Sequence, residues 1–328
     1  MPTFTTLERL ARRTTDWRFF SWYWGDAIAV DGLLSAADVL GQPELHDYVV
    51  QTLDRWSSGC PPCLDDALAP GAAIARLAGE GVLSGRAIDR FLVAVDRLPM
   101  LTGPVPALEP HRQAYRFGVC IDALYHLPPG LAAIARLRDD PALARRAVLI
   151  AEEILRLTRC PAGWAQWYDA ALRRNNAVAW SRGLGWALLG CLDTIACAGG
   201  IAPVAALEDA TGSLLGTLAE AQLPDGHWPA VLGHPGAPAE TSTAAFFVAG
   251  ALHSCAPATI PAATVDISLR ACLAAVDSGG VYTGVSADVL PSWEPGDYLS
   301  FAVEPSPWGQ GAALRALTAS QAGLHAGS

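Results

Sequence analysis

The chain has 328 residues, 52% of them hydrophobic and only 16% charged, so it carries enough apolar material for a large core and is not a disordered sequence. All 22 basic residues are arginine and 32 acids leave a formal net charge of −10, which argues against nucleic acid and anionic membrane surfaces as partners. No stretch reaches the roughly 18 uncharged apolar residues of a membrane span, and residues 1–18 are charged and amphipathic rather than signal-like, so the expected location is the cytoplasm. In chain order, helical segments are predicted at 4–16, 19–40, 44–56, 66–78, 84–98, 117–137, 141–157, 181–198, 202–222, 241–253, 262–276 and 307–319. Period-2 alternation is scarce, with short strand candidates only at 280–285 and 298–303.

These twelve segments alternate in character. One set carries charged stripes, such as Glu8, Arg9 and Arg12 or Arg145, Arg146, Glu152 and Arg156; the other is almost uncharged and rich in Gly, Ala and aromatics. Charged helices face water on one side and uncharged ones are enclosed. Strict alternation of six outer and six inner helices predicts an all-α protein, an (α/α)6 barrel of six helical hairpins forming one domain over residues 1–328.

The unusual residues fall at the starts of the inner segments. Trp22, Trp24 and Asp26 belong to the first, Asp65 and Asp66 to the second, and Asp122 and Tyr125 to the third. Trp180 and Arg182 open the fourth, Glu240 and Thr241 the fifth, and Trp308, Gly309 and Gln310 the sixth. Inner helices of such a barrel run in one direction, so these starts gather at one mouth, where six helix N-termini favour an anionic group. Asp65 and Glu240 taken alone fit helix caps equally well.

Asp122 stands in an otherwise apolar run, where burial raises a carboxyl pKa toward neutrality; it reads either as a proton donor or as a structural acid paired with an arginine. Arg182, between Trp180 and the glycines 183 and 185, can fork onto a carboxylate. Cys120, Cys191, Cys197, Cys255 and Cys272 lie in apolar helical patterns and read as core residues. Cys60-Pro61-Pro62-Cys63 has redox or zinc spacing, but no second ligand pair follows it.

The stretch Trp180-Ser-Arg-Gly-Leu-Gly-Trp186 resembles the W-G-R-G-N-G-W signature of the unsaturated glucuronyl and rhamnogalacturonyl hydrolases, glycoside hydrolase families 88 and 105. Cys120-Ile-Asp-Ala-Leu-Tyr125 is similar to the segment that holds that family's catalytic aspartate. Leu223-Pro-Asp-Gly-His-Trp228, Glu240-Thr-Ser-Thr-Ala-Ala245 and Pro307-Trp-Gly-Gln-Gly311 match further family patterns in order, over nearly the whole chain.

The resemblance implies hydrolysis of an anionic oligosaccharide ending in a 4,5-unsaturated uronic acid. An acid protonates C4 of the vinyl ether, water adds at C5, and the hemiketal collapses; no metal or organic cofactor is implied. By this carry-over Asp122 is catalytic, Asp66 assists it, and Trp180 with Arg182 holds the sugar; Trp24, Asp26, Tyr125, Gln166 and Trp308 are further expected to bind the substrate. Gln166 stands where the family has histidine, and Leu184 where it has asparagine. Those two replacements motivate rival readings: a biosynthetic enzyme that uses Asp122 to protonate an alkene or enol ether in a cyclisation or isomerisation, or a non-catalytic carbohydrate-binding protein.

Overall fold

Each of the two kinds of helix has its own place in the structure. The computed structural model describes residues 2–19, 21–257 and 260–326; position 20, inside the predicted segment 19–40, lies outside the described residues. The outer helices are α1 (Pro2–Thr14), α3 (Pro43–Ser57), α5 (Arg86–Asp96), α8 (Pro141–Thr158), α10 (Ala205–Glu220) and α12 (Ala262–Ala274). In α3 the buried residues are Leu45, Val49, Thr52 and Leu53, one stripe at helical spacing. The inner helices are α2 (Asp26–Leu40), α4 (Gly71–Gly79), α7 (Pro128–Arg138, preceded by the single turn α6, Ala123–His126), α9 (Ser181–Ala198), α11 (Thr241–Ala251) and α13 (Pro307–Ala326). In α9 every residue from Ser181 to Leu192 is buried.

The inner helices form a closed ring. α2 packs on α4, α4 on α7, α7 on α9, α9 on α11, α11 on α13, and α13 returns to α2. The outer helices cover the joints: α1 lies on α13 and α2, α8 on α7 and α9, α10 on α9 and α11, and α12 on α11 and α13. This is an (α/α)6 barrel. Small residues let neighbouring backbones meet inside it. A Cβ on Gly190 of α9 would stand 2.2 Å from the Leu124 carbonyl oxygen and 2.7 Å from the Tyr125 nitrogen of α6.

The beginnings of the inner helices depart from the sequence expectation. The first starts at Asp26 rather than 19, because Gly25 takes φ 105° and ends the preceding turn. The second starts at Gly71, after a 3-10 turn over Leu64–Leu68 that contains Asp65 and Asp66. The third starts at Ala123: Gly118–Cys120 is a strand, antiparallel to Trp167–Asp169 in the register Gly118↔Asp169 and Cys120↔Trp167. An apolar run of this kind does not by periodicity distinguish strand from buried helix. Residues 280–285 and 298–303 form no strands, only the isolated bridges Val276↔Tyr282 and Ser286↔Val303. Among the described residues no helix is long and apolar enough to cross a membrane.

Candidate active site

A narrow cleft lies where the inner helices begin. Trp24 reaches it from the turn before α2, Asp122 from the residue before α6, Trp180 and Arg182 from the first turn of α9, and Trp308 from the first turn of α13. Asp288 and Val289 close it from the connection between α12 and α13.

Asp122 is buried, and its Oδ1 has no hydrogen-bond partner among the described residues. Burial pushes its carboxyl up from 3.8 to about 7; Arg182 opposes the rise, and Asp288 and Glu109 add to it. At neutral pH a large share of this group is therefore a carboxylic acid, one oxygen of which accepts nothing from the described residues.

Arg182 is 3% exposed and lies between two indole rings, its guanidinium carbon 4.5 Å from the Trp180 ring centre and 5.5 Å from that of Trp308. Nη1 donates to the Ser286 carbonyl and, at 3.0 Å, to the Ser286 hydroxyl, and Nη2 donates to the Ala287 carbonyl at 2.8 Å. Glu240, which caps α11 by accepting from the Ser242 nitrogen, stands 3.8 Å from the guanidinium and also accepts from the Ser286 nitrogen at 3.1 Å. The fork is thus spent on residues 286 and 287, and only Nε is left without a partner among the described residues.

Gln166 has a related task outside the cleft wall. Its Nε2 donates to the Val289 carbonyl at 3.0 Å and its Oε1 accepts from the Tyr298 hydroxyl. Asn176 donates to the Ser292 carbonyl at 2.6 Å. Three buried polar side chains on different elements therefore strap the irregular segment 286–298 across the barrel mouth.

Three further residues expected at the site lie elsewhere, and each position has a cause. Asp66 is turned away by the 3-10 geometry: it accepts from Trp56 Nε1 at 2.7 Å, Arg90 Nε at 2.9 Å and the Cys63 nitrogen at 3.0 Å, and does not line the cleft. Asp26 accepts from the Tyr23 nitrogen at 2.8 Å, which shapes the turn that presents Trp24; burial raises its carboxyl to about 7. The Tyr125 hydroxyl donates to Asp31 at 2.6 Å and accepts from Arg315, whose guanidinium forks onto Asp193 at 2.5 and 2.8 Å. That network stands apart from the cleft.

Conversely, the cleft includes Tyr115, Cys120, Trp186, Asp288 and Val289, none of which was expected there. Cys120, expected in the core, is buried but lines the wall beside Asp122, and burial with that neighbour pushes its thiol well above the usual range. Trp186 closes the glycine-rich motif and could have been found from it; Asp288 lies in a stretch without periodicity or motif. Cys60 and Cys63 are exposed and free, and Cys60 lines a separate surface groove. No group of three or more His, Cys, Asp or Glu able to hold a metal occurs among the described residues.

A helical barrel with a buried acid among indoles at one mouth defines an α/α-barrel protein with an enclosed polar site, and comparison with known proteins gives its class. The sequence profile of Glycosyl Hydrolase Family 88 matches residues 108–321, well over half of the chain, which therefore belongs to that family and is a glycoside hydrolase. Among solved structures, a possible member of the GH105 family from Salmonella enterica serovar Paratyphi A superposes with a TM-score of 0.86 at 15% identity, over 98% of this chain and 93% of that one. A family 88 glycosyl hydrolase from Bacteroides vulgatus gives 0.73 at 15% identity, covering 98% of each chain. The unsaturated glucuronyl hydrolase of Bacillus sp. GL1, responsible for the degradation of glycosaminoglycan, gives 0.71 at 15% identity, over 95% of this chain and 94% of that one. At these identities the likeness is one of fold. No curated protein sequence matches the chain.

Proposed function

We propose that this enzyme removes a 4,5-unsaturated uronic acid from the non-reducing end of an oligosaccharide by acid-catalysed hydration of the C4=C5 double bond. The observation that carries the reading is Asp122, a buried carboxyl raised to about 7 with one unpaired oxygen, facing a cleft walled by Trp24, Trp180 and Trp308. Membership of family 88 and the ordered motifs around residues 120–125, 180–186 and 307–311 support it. So does the fold shared with glucuronyl hydrolases, one of them specific for heparin.

In this mechanism the Asp122 carboxylic acid delivers its proton to C4 and the cation that develops at C5 is shared with the ring oxygen. Water attacks C5, its proton passes to the Asp122 carboxylate, and the acid is restored. The hemiketal opens by breaking the C5–O5 bond, which leaves a hemiacetal at C1; as this collapses to an aldehyde the C1–O bond to the remaining sugar breaks and that sugar leaves as an alcohol. The indoles offer flat apolar faces to sugar rings. The substrate carboxylate meets the N-terminal turns of α9 and α13, whose dipoles favour an anion, beside the charge of Arg182. Asp66, committed to Arg90, Trp56 and Cys63, is assigned the stability of the 3-10 turn instead of a share in the chemistry.

The closed helical ring supports one domain. The exposed free thiols of Cys60 and Cys63 support the cytoplasm, where thiols stay reduced. The deciding experiment incubates the enzyme with unsaturated disaccharides prepared by polysaccharide lyases and follows loss of the ultraviolet absorbance of the conjugated double bond. Turnover of at least one member is expected; a complete lack of turnover removes the reading.

A further inference from the structure

Asp288 is held in the cleft more firmly than its irregular surroundings suggest. Its Oδ2 accepts from the Tyr23 hydroxyl at 2.5 Å and from Arg112 Nη2 at 3.3 Å. Arg112 is itself fixed by Glu109 at 3.2 Å and lies over the Tyr23 and Tyr115 rings at 5.3 and 4.8 Å. The backbone on either side is pinned, Ala287 by Arg182 and Val289 by Gln166. Among the described residues nothing donates to Oδ1, and the side chain remains 33% exposed in the cleft. One carboxylate oxygen is thus presented in a set direction, free to accept.

A carboxylate accepts hydrogen bonds and donates none. A sugar hydroxyl satisfies it; a sulfate ester offers only acceptors and a like charge. The nearby cations do not offset that repulsion, because each already faces an acid: Arg112 is paired with Glu109 and Asp288, and Glu240 stands 3.8 Å from Arg182. The geometry points to Asp288 as the specificity-determining residue of this cleft: it accepts from a free sugar hydroxyl and rejects a substrate in which that position carries sulfate. This inference rests on the unsaturated-uronyl reading and adds to it a preference for sugar unsulfated at one position, imposed by repulsion as well as attraction.

The test uses unsaturated disaccharides that are unsulfated or carry one sulfate at a time, with kcat/KM measured for the wild type and for Asp288→Asn. The wild type is expected to favour the unsulfated member at least tenfold over one sulfated member, and Asp288→Asn to narrow that ratio at least tenfold, mainly by a gain on the sulfated substrate. A ratio that Asp288→Asn leaves unchanged, or a wild type indifferent to every sulfate, overturns the inference while the uronyl reading stands. A wild type that turns over no member of the panel removes that reading and the inference with it. Should Asp288→Asn fail to fold, the wild-type ratio is measured from ~20 to ~500 mM NaCl, over which the Debye length shrinks severalfold. The ratio is expected to fall with salt, and a salt-independent ratio overturns the inference.

Discussion

The proposed mechanism concentrates the chemistry in one side chain, Asp122, whose protonation state should then govern the rate. Burial raises its carboxyl from 3.8 to about 7, and only the protonated form can deliver a proton to carbon. The sign follows directly: kcat should be level below about pH 6 and fall roughly tenfold per unit above about pH 8, as the acid is lost. Asp122→Asn keeps the shape and removes the proton, and should lower kcat by about 10²-fold or more while substrate binding persists. Steady-state kinetics from pH 5 to 9 together with a direct binding measurement check both, and a rate that climbs between pH 6 and 8 would contradict the assignment. Asp122, Trp24, Trp180, Arg182 and Trp308 were legible in the sequence because they stand at the starts of inner segments, four of them within recognisable motifs. What their side chains touch was not legible. Asp66 occupies a comparable position in the sequence, yet a 3-10 turn hands its carboxylate to Arg90, and the Arg182 fork meets backbone carbonyls from more than a hundred residues away.

At the scale of elements, the helices were readable because burial leaves a chemical trace: α3 shows one apolar stripe, and α9 shows apolar and small residues all round. The segment Gly118–Cys120 left no such trace, since its strand partner Trp167–Asp169 is remote and neither stretch alternates. Where helices cross, the distance is set by side-chain size, and the contact between α9 and α6 is among the tightest. Gly190→Ala would place a methyl 2.2 Å from the Leu124 carbonyl oxygen, a backbone atom that yields only if the helices separate. The expected cost is about 1–3 kcal/mol of stability. Because α6 directly follows Asp122, activity should drop as well. Thermal unfolding of Gly190→Ala checks the first effect, and an unchanged midpoint would show that the ring absorbs the methyl without strain.

For the molecule as a whole, closing six hairpins into a ring creates an interior that water barely reaches, and acids placed there resist ionisation. Burial raises Asp26 to about 7, Asp31 to about 6 and Asp122 to about 7. Asp193, which burial alone would raise, is instead held well below the usual carboxylate range by Arg315 and His253. The three raised groups keep protons in the folded chain that the unfolded chain releases above about pH 4. Their contribution to stability is therefore fully present below about pH 4 and is lost as pH rises through about 6 to 7. Asp122 shows the cost most plainly, since one of its oxygens receives no hydrogen bond from the fold. Asp122→Asn, which removes the ionisation, should leave the unfolding midpoint near that of the wild type at pH 4 and raise it at pH 8, by an amount on the order of 1–3 kcal/mol. Denaturant or thermal unfolding of both proteins at pH 4, 6 and 8 measures this difference. If the variant proves less stable at pH 8 than at pH 4 relative to the wild type, the Asp122 carboxylate is stabilised in the fold, its pKa is low, and it is not the proton donor.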